Sequence, residues 1–335
     1  MRCDEMRHLL FVDSQNSHLP HIRPRAHDKY LRLIDAAQKL PPVVTAIAHP
    51  CDEVSLGGAV EARKLRLIEP ILVGPAARIR EVAARHGIDI AALSVIDAEH
   101  SHDSAAKAVA LARERKAEAL MKGSLHTDEL MGAVVARDAG IRTDRRISHC
   151  FVMDVPGHAD PLIITDAAVN IAPTLEDKMY IVQNAIDLAH AVGYPEVRVA
   201  ILSAMETVNP KVLSTIEAAA LCKMADRGQI TGAVLDGPLA LDNAISPEAA
   251  EIKKIASPVA GRANILVVPD LEAGNMLAKS LSFLAHADAA GIVLGARVPV
   301  ILTSRADSLL TRLASCAIAV LVAESRRASA SASIR

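Results

Sequence analysis

Apolar positions along the chain follow two alternating rhythms. Short runs rich in Val, Ile, Leu and Ala occur near Val43–Ala48, Ile71–Val73, Ser94–Ile96, Ala119–Met121, Cys150–Asp154, Leu162–Thr165, Val197–Leu202, Ala233–Leu235, Ile265–Val268, Gly291–Leu294 and Pro299–Thr303. Each reads as a strand. Between them lie longer stretches of helical period, predicting helices over 54–68, 76–86, 103–117, 127–139, 175–192, 210–226, 246–255, 271–286 and 307–323. Strands alternating with helices are what crossover connections need, so the chain reads as an α/β protein with largely parallel, doubly covered sheets. Residues 1–25 and 326–335 lack this periodicity and are expected to be loose tails. The charged stretch from Arg137 to Ser148 interrupts the alternation after the fourth strand–helix unit and is the best linker candidate. The pattern leaves open whether the last strand and helix stay with the second half or return to the first.

With 335 residues, the length suits roughly two domains at about 100–200 residues each. Three Phe, three Tyr and no Trp leave the cores to aliphatic side chains and argue against recognition of bases by stacking. Thirty-seven Lys and Arg against 39 Asp and Glu give a net charge of −2, so no global field draws the molecule to nucleic acid or to an anionic bilayer. Any anion must be held by a local site. The apolar stretch Leu313–Ala323 is shorter than the roughly 20 residues of a membrane span, and the first 30 residues do not fit a secretory signal. Five scattered Cys without a CxxC pair favour reduced thiols, and a cytoplasmic location is expected.

The chain has no GxGxxG, GxxxxGK[ST], HExxH or GxSxG pattern, which removes the easiest routes to dinucleotide, P-loop, zinc-protease and hydrolase chemistry. Polar clusters at strand ends remain, where open α/β sheets bind ligands. In Pro299–Ser308 a hydroxyl, a guanidinium and helix N-terminal amides would converge, suiting a phosphate or a developing oxyanion; the plain alternative is a capping box from Ser304 to Asp307. In Met121–Asp128 the small Gly123 and Ser124 would let a ligand near the backbone, with Lys122 or His126 meeting an anion; an ordinary turn capped by Ser124 or Thr127 is the alternative. Leu235–Glu248 holds a Gly237–Pro238 turn and a long loop before Pro247 opens a helix. Arg142, Arg145 and Arg146 either grip phosphate groups or form a solvated hinge. Cys150 is either a nucleophile stabilised by Arg146 or His149, or a core residue. The thirteen His show no metal-ligand spacing, and His100–His102 reads as an exposed loop.

Taken together, Lys39–Ala46, His49–Glu53, Leu67–Gly74, Met121–Ser124, Asp236–Leu239, Ala244–Glu248, Ser257–Ala263, Pro269–Asn275 and Ser304–Arg305 resemble the phosphate acetyltransferase/phosphate butyryltransferase family, in the family's order from about residue 29 to 324. The resemblance implies transfer of a short acyl group, acetyl in the leading reading, between CoA and inorganic phosphate in a ternary complex. Acyl-CoA, phosphate and acyl phosphate are then the small-molecule partners, with no metal or redox cofactor, no nucleic acid and no membrane. It also implies a homodimer and a two-domain fold like that of isocitrate and isopropylmalate dehydrogenases, with an interdomain cleft. Domain I would comprise 26–147 plus 297–325, and domain II 148–296 would be inserted in it.

The same resemblance gives Arg305 to the phosphoryl group or thioester carbonyl and Ser304 to the developing negative charge, while the strand-end cluster offers Lys122, Gly123, Ser124 and His126 for substrate binding. Thr311 stands where the acetyltransferases have an Asp base, which leaves Asp307 as the nearest replacement. Gly132 stands where the family often has an Arg, so Arg145 or Arg146 would supply that charge. Other readings are a butyryltransferase, a metal-dependent NAD(P) oxidoreductase of the same fold, and a non-catalytic sensor of CoA or phosphate ligands.

Overall fold

The structure, a computed structural model, describes residues 27–303 and 307–332. Its first element, α1 (Asp28–Ala37), is a helix absent from the sequence-based expectation. One face of α1 buries Tyr30, Leu31, Leu33, Ile34 and Ala37. The Tyr30 hydroxyl donates to the Val152 carbonyl (2.7 Å) and accepts from the Ala290 amide (2.7 Å), which fastens α1 to two mid-sheet strands.

After α1 come β1 (Val43–Ala48), α2 (Glu53–Lys64), β2 (Ile68–Gly74), α3 (Ala76–His86), β3 (Ser94–Asp97), α4 (Ser101–Arg113), β4 (Ala119–Lys122) and α5 (Thr127–Val135). The chain continues with β5 (Ser148–Asp154), β6 (Leu162–Thr165), α6 (Leu175–Ala191), β7 (Arg198–Leu202), α7 (Leu213–Asp226) and β8 (Val234–Leu239). It ends with α8 (Leu241–Ile245), α9 (Pro247–Ile252), β9 (Ile265–Val267), α10 (Leu271–Leu284), β10 (Asp288–Leu294), β11 (Val300–Ile301) and α11 (Leu309–Ala332).

All eleven strands join one sheet in the order β3-β2-β1-β4-β11-β10-β5-β6-β9-β7-β8. Pairing is parallel on both flanks and antiparallel at β11/β10, β10/β5 and β5/β6. This is the expected largely parallel α/β architecture. One flank therefore takes its strands from 43–122 and, after the chain has built the other, from 300–301. Helices on both faces explain the apolar runs of β1, β4, β6 and β9, which are buried almost throughout. The reversal from β10 to β11 passes through Gly295, whose φ of 84° is left-handed and whose Cβ, if present, would lie 2.3 Å from the Arg146 carbonyl oxygen.

Several expectations are corrected. Residues 326–332 are not a loose tail: α11 continues to Ala332 because Arg326 donates to the carbonyls of Ala296 and Arg297, and Arg327 to Glu118 Oε1 (2.9 and 2.6 Å). Gly237–Pro238 is not a turn but lies within β8, where a Cβ on Gly237 would stand 2.7 Å from the Ile201 carbonyl. His100 and His102 belong to the start of α4, His100 Nδ1 accepting the Asp103 amide (3.2 Å). α11 opens with Ser308 in the capping position, its Oγ taking the Thr311 amide (3.2 Å); the expected capping residue Ser304 lies outside the described residues. Among the described residues, no helix is long and apolar enough to cross a membrane.

Candidate active site

β1, β4 and β11 are neighbours running in one direction, so the residues after them, from His49, Gly123 and Leu302, meet at one sheet edge. The first two turns are sewn together. Gly123 and Ser124 donate their amides to the carbonyls of Ala48 and His49 (2.9 Å each), and Ser124 Oγ donates to the His49 carbonyl (2.8 Å) and accepts the Cys51 amide (3.2 Å). A Cβ on Gly123 would lie 2.4 Å from the Ala48 oxygen and 2.5 Å from that of His49, so this backbone approach demands glycine. The expected turn cap at Ser124 is thus corrected, because its hydroxyl is spent on the β1 turn. His126 instead occupies the cap of α5, with its amide held by Glu129 Oε2 (2.6 Å).

His49 is buried, its Nδ1 3.0 Å from Ser104 Oγ, and burial followed by the nearby Arg78 charge lowers its pKa. Burial pushes the Cys51 thiol up to about 11. Asp52 caps α2, Oδ1 accepting the Ser55 amide (2.7 Å) and hydroxyl (2.6 Å). Lys122 is buried, with Nζ 3.4 Å from the Gly123 carbonyl. At the end of β11, Arg312 reaches back from α11 to give a 2.9 Å hydrogen bond to Thr303 Oγ1. Burial lowers the pKa of this guanidinium, while the charges of Asp307 and Asp52 act the other way. Gly58 on α2 leaves space for it: a Cβ there would meet Arg312 Cδ at 3.2 Å. Ser304 and Arg305 lie outside the described residues; Asp307 is half-buried and Thr311 buried.

The facing wall follows β6. Buried Asp166 folds the next residues around its carboxylate: Oδ1 accepts the amides of Ala168 and Val169 (3.0 Å each), and Oδ2 accepts Asn170 Nδ2 (2.6 Å). Gly274 on α10 allows this loop to sit close, since a Cβ would lie 2.8 Å from the Asp166 carbonyl oxygen. Val169 packs on the apolar cluster that holds Leu125, Leu130 and Val134, which Leu302 also contacts, bringing the two walls into contact. Beside the Asp166–Asn170 loop, against the 142–147 segment and the start of α6, opens a groove of about 530 Å³ lined by Arg142, Arg145, Arg146, Asn170 and Asp177.

The two candidate arginines differ. Arg145 is ion-paired with Asp187 of α6, whereas Arg146 gives its Nε to Asn170 Oδ1 (2.6 Å), with Asp177 Oδ1 3.5 Å away. Gly132 has open space around its Cβ position. Cys150 is a core residue, not a nucleophile: burial pushes its thiol up to about 12. Neighbouring His149 is equally buried, its ring edge-on to Phe151, and burial pulls its pKa down to about 4 against the opposing charge of Asp166.

A family model described as phosphate acetyl/butaryl transferase matches residues 100–320. The chain belongs to the phosphate acetyl/butyryl transferase family. It is 68% identical over 311 residues to a phosphate acetyltransferase of Rhizobium meliloti, covering 93% of this chain and 98% of that protein. It is 40% identical to a phosphate butyryltransferase of Clostridium beijerinckii, covering 87% and 96%. Among solved structures, a branched-chain phosphotransacylase from Enterococcus faecalis V583 superposes with a TM-score of 0.73 at 30% identity, over 84% of this chain and 99% of that one.

For this member of the phosphate acetyl/butyryl transferase family, the structure sets Gly123 and Ser124 beside the β1 turn and Arg146 in the groove. It also adds residues that no sequence motif marks: Arg312, Asp166 and Asn170. Asp166 carried a usable signal, a carboxylate directly after an apolar strand with a polar Asn170 following, the same strand-end rule that singled out Gly123. Arg312 carried none, because a guanidinium in the first turn of an apolar helix shows its direction only once the helix is packed.

Proposed function

We propose that the chain is a phosphate acetyltransferase, converting acetyl-CoA and inorganic phosphate to acetyl phosphate and CoA, and back. The observation that carries this reading is the 68% identity with a relative of that name across nearly the full length of both chains, against 40% with a butyryltransferase. In this reading the two sheet flanks are two domains, 26–147 plus 297–325 and 148–296, with substrates between them. A phosphate oxygen attacks the thioester carbonyl carbon, an oxyanion develops, the C–S bond breaks and the CoA thiolate leaves. Ser304 and Arg305 donate to that oxyanion, the kind of fixed electrostatic support worth roughly 100- to 1,000-fold in rate. Asp307 gives a proton to the departing thiolate in this direction and takes it from the CoA thiol in the reverse direction, and Lys122, with Gly123, Ser124 and His126, completes the substrate side.

No metal or redox cofactor enters the proposed chemistry. Among the described residues one grouping has the donors for an ion, His27, Asp154 and Asp288, and there the Lys29 ammonium, 2.8 Å from Asp154 Oδ1, already supplies the positive charge. A cytoplasmic location and a homodimer are part of the same reading, the homodimer supported by the exposed apolar side chains Met276, Phe283 and Leu284 of α10. The test compares thiol release from acetyl-, propionyl- and butyryl-CoA with phosphate present and omitted, and with EDTA added. Release that needs phosphate, ignores EDTA and is fastest with acetyl-CoA is the expected result. Phosphate-independent release would remove the function, and a clear preference for butyryl-CoA would move it to the other named branch.

A further inference from the structure

The groove between the 142–147 segment and the start of α6 holds three arginines and, in Asp144, Glu176 and Asp177, three carboxylates. It has no net field to offer an anion, so recognition there depends on which donors are held in a fixed direction. Arg142 has an exposed side chain and Arg145 is committed to Asp187. Arg146 is different. Its side chain is half exposed, yet its Nε is anchored on Asn170, a residue only 3% exposed. Asn170 is itself fixed from behind, donating Nδ2 to the Ile147 carbonyl (2.9 Å) and to Asp166 Oδ2 (2.6 Å). Asp177, the acid nearest Arg146, already uses Oδ2 to cap α6 at Thr174 (3.0 and 2.9 Å). With Nε so occupied, the two terminal nitrogens of Arg146 keep no hydrogen-bond partner among the described residues, and Arg146 is one of the residues lining the groove.

We propose that Asn170 is a positioning residue that turns Arg146 into the phosphate-binding arm of this groove. The ligand's identity rests on the acetyltransferase reading above; the bound chemistry is a phosphate group, either the inorganic substrate or a phosphate of CoA. A free arginine gives up side-chain freedom to hold an anion, and anchoring Nε in advance removes part of that cost while leaving a two-nitrogen fork for the oxygens.

The test measures KM for phosphate and for CoA, and the melting shift each produces, in wild type, Arg146→Ala, Arg146→Lys, Asn170→Ala and the Arg146→Ala/Asn170→Ala double variant. Losing one charge-assisted contact is expected to raise one of the two KM values roughly 10- to 100-fold, well beyond any fall in kcat. The double variant should be no worse than Arg146→Ala alone, and adding Asn170→Ala to Arg146→Lys, which lacks Nε, should change neither KM further. A rise confined to inorganic phosphate identifies that substrate; a rise for CoA that disappears with dephospho-CoA identifies the 3′-phosphate. Should Asn170→Ala melt the loop, Asn170→Ser keeps a hydroxyl beside Asp166 but is too short for Nε, and the same KM rise is expected.

Unchanged KM values, or single effects that multiply in the double variant, overturn the proposal while leaving the acetyltransferase reading in place. If the wild type turns over nothing, that reading falls and the melting shift decides: a shift with phosphate or CoA that Arg146→Ala and Asn170→Ser both lose supports the proposal, and one that both keep refutes it.

Discussion

The two walls of the site are built in opposite ways. On the β1/β4/β11 side, the turns of β1 and β4 are locked chiefly by main chain, the Gly123 and Ser124 amides on the Ala48 and His49 carbonyls, with the buried Arg312–Thr303 side-chain bond beside them. On the β6 side, the loop from Asp166 to Asn170 is locked by side chains, and its exposed product is the Arg146 guanidinium. Backbone locking gives a rigid edge suited to holding reacting atoms, where misplacement is costly. Side-chain locking gives a directed but replaceable charge, suited to grasping a substrate some distance from the chemistry. In this account the first wall reacts and the second binds.

The sharpest way to break the comparison is Gly123→Ala. Its Cβ would sit at 2.4–2.5 Å from two backbone oxygens that cannot both retreat without parting β1 from β4. A loss of about 3 kcal/mol or more is expected, above the usual range for overpacking because backbone must move, and urea titration reads it. A variant within about 1 kcal/mol of wild type would mean that the edge yields, and the rigid wall would have to be given up.

A smaller, graded effect comes from His149, at the start of β5 between the walls. Burial holds its folded pKa near 4, whereas the unfolded chain takes up the proton near 6.5. The contribution is therefore intact above about pH 6.5 and is lost as the pH falls towards 4, in total up to about 3 kcal/mol. Stability measured between pH 7 and 4.5 should fall, and His149→Gln should flatten part of that slope. The same slope in the variant would show that His149 is not held neutral.

How much of this was legible in the sequence depends on the range of the cause. The strand–helix alternation is local, and β1, β6 and α3 stand where the periodicity puts them. The α1 face of Tyr30, Leu31, Leu33, Ile34 and Ala37 has helical spacing too, but it falls next to a segment without periodicity, which hides it. The Ala- and Ser-rich end beyond Glu324 reads as low complexity, yet Ala favours helix and Arg327 finds Glu118 more than 200 residues back. Glycine at 123 is visible as a small residue in a turn; that it is required by the carbonyls of Ala48 and His49 is not. Asn170 is an ordinary residue until the fold places it behind Arg146.

The central claim is that chemistry belongs to the strand-end wall and anion capture to the groove. Arg305→Ala, assayed for phosphate-dependent thiol release from acetyl-CoA at saturating substrate, tests it most directly. The account predicts a fall in kcat of roughly 100-fold or more with an unchanged melting temperature. A variant that keeps a near-normal kcat would contradict it and take the reacting atoms away from that wall.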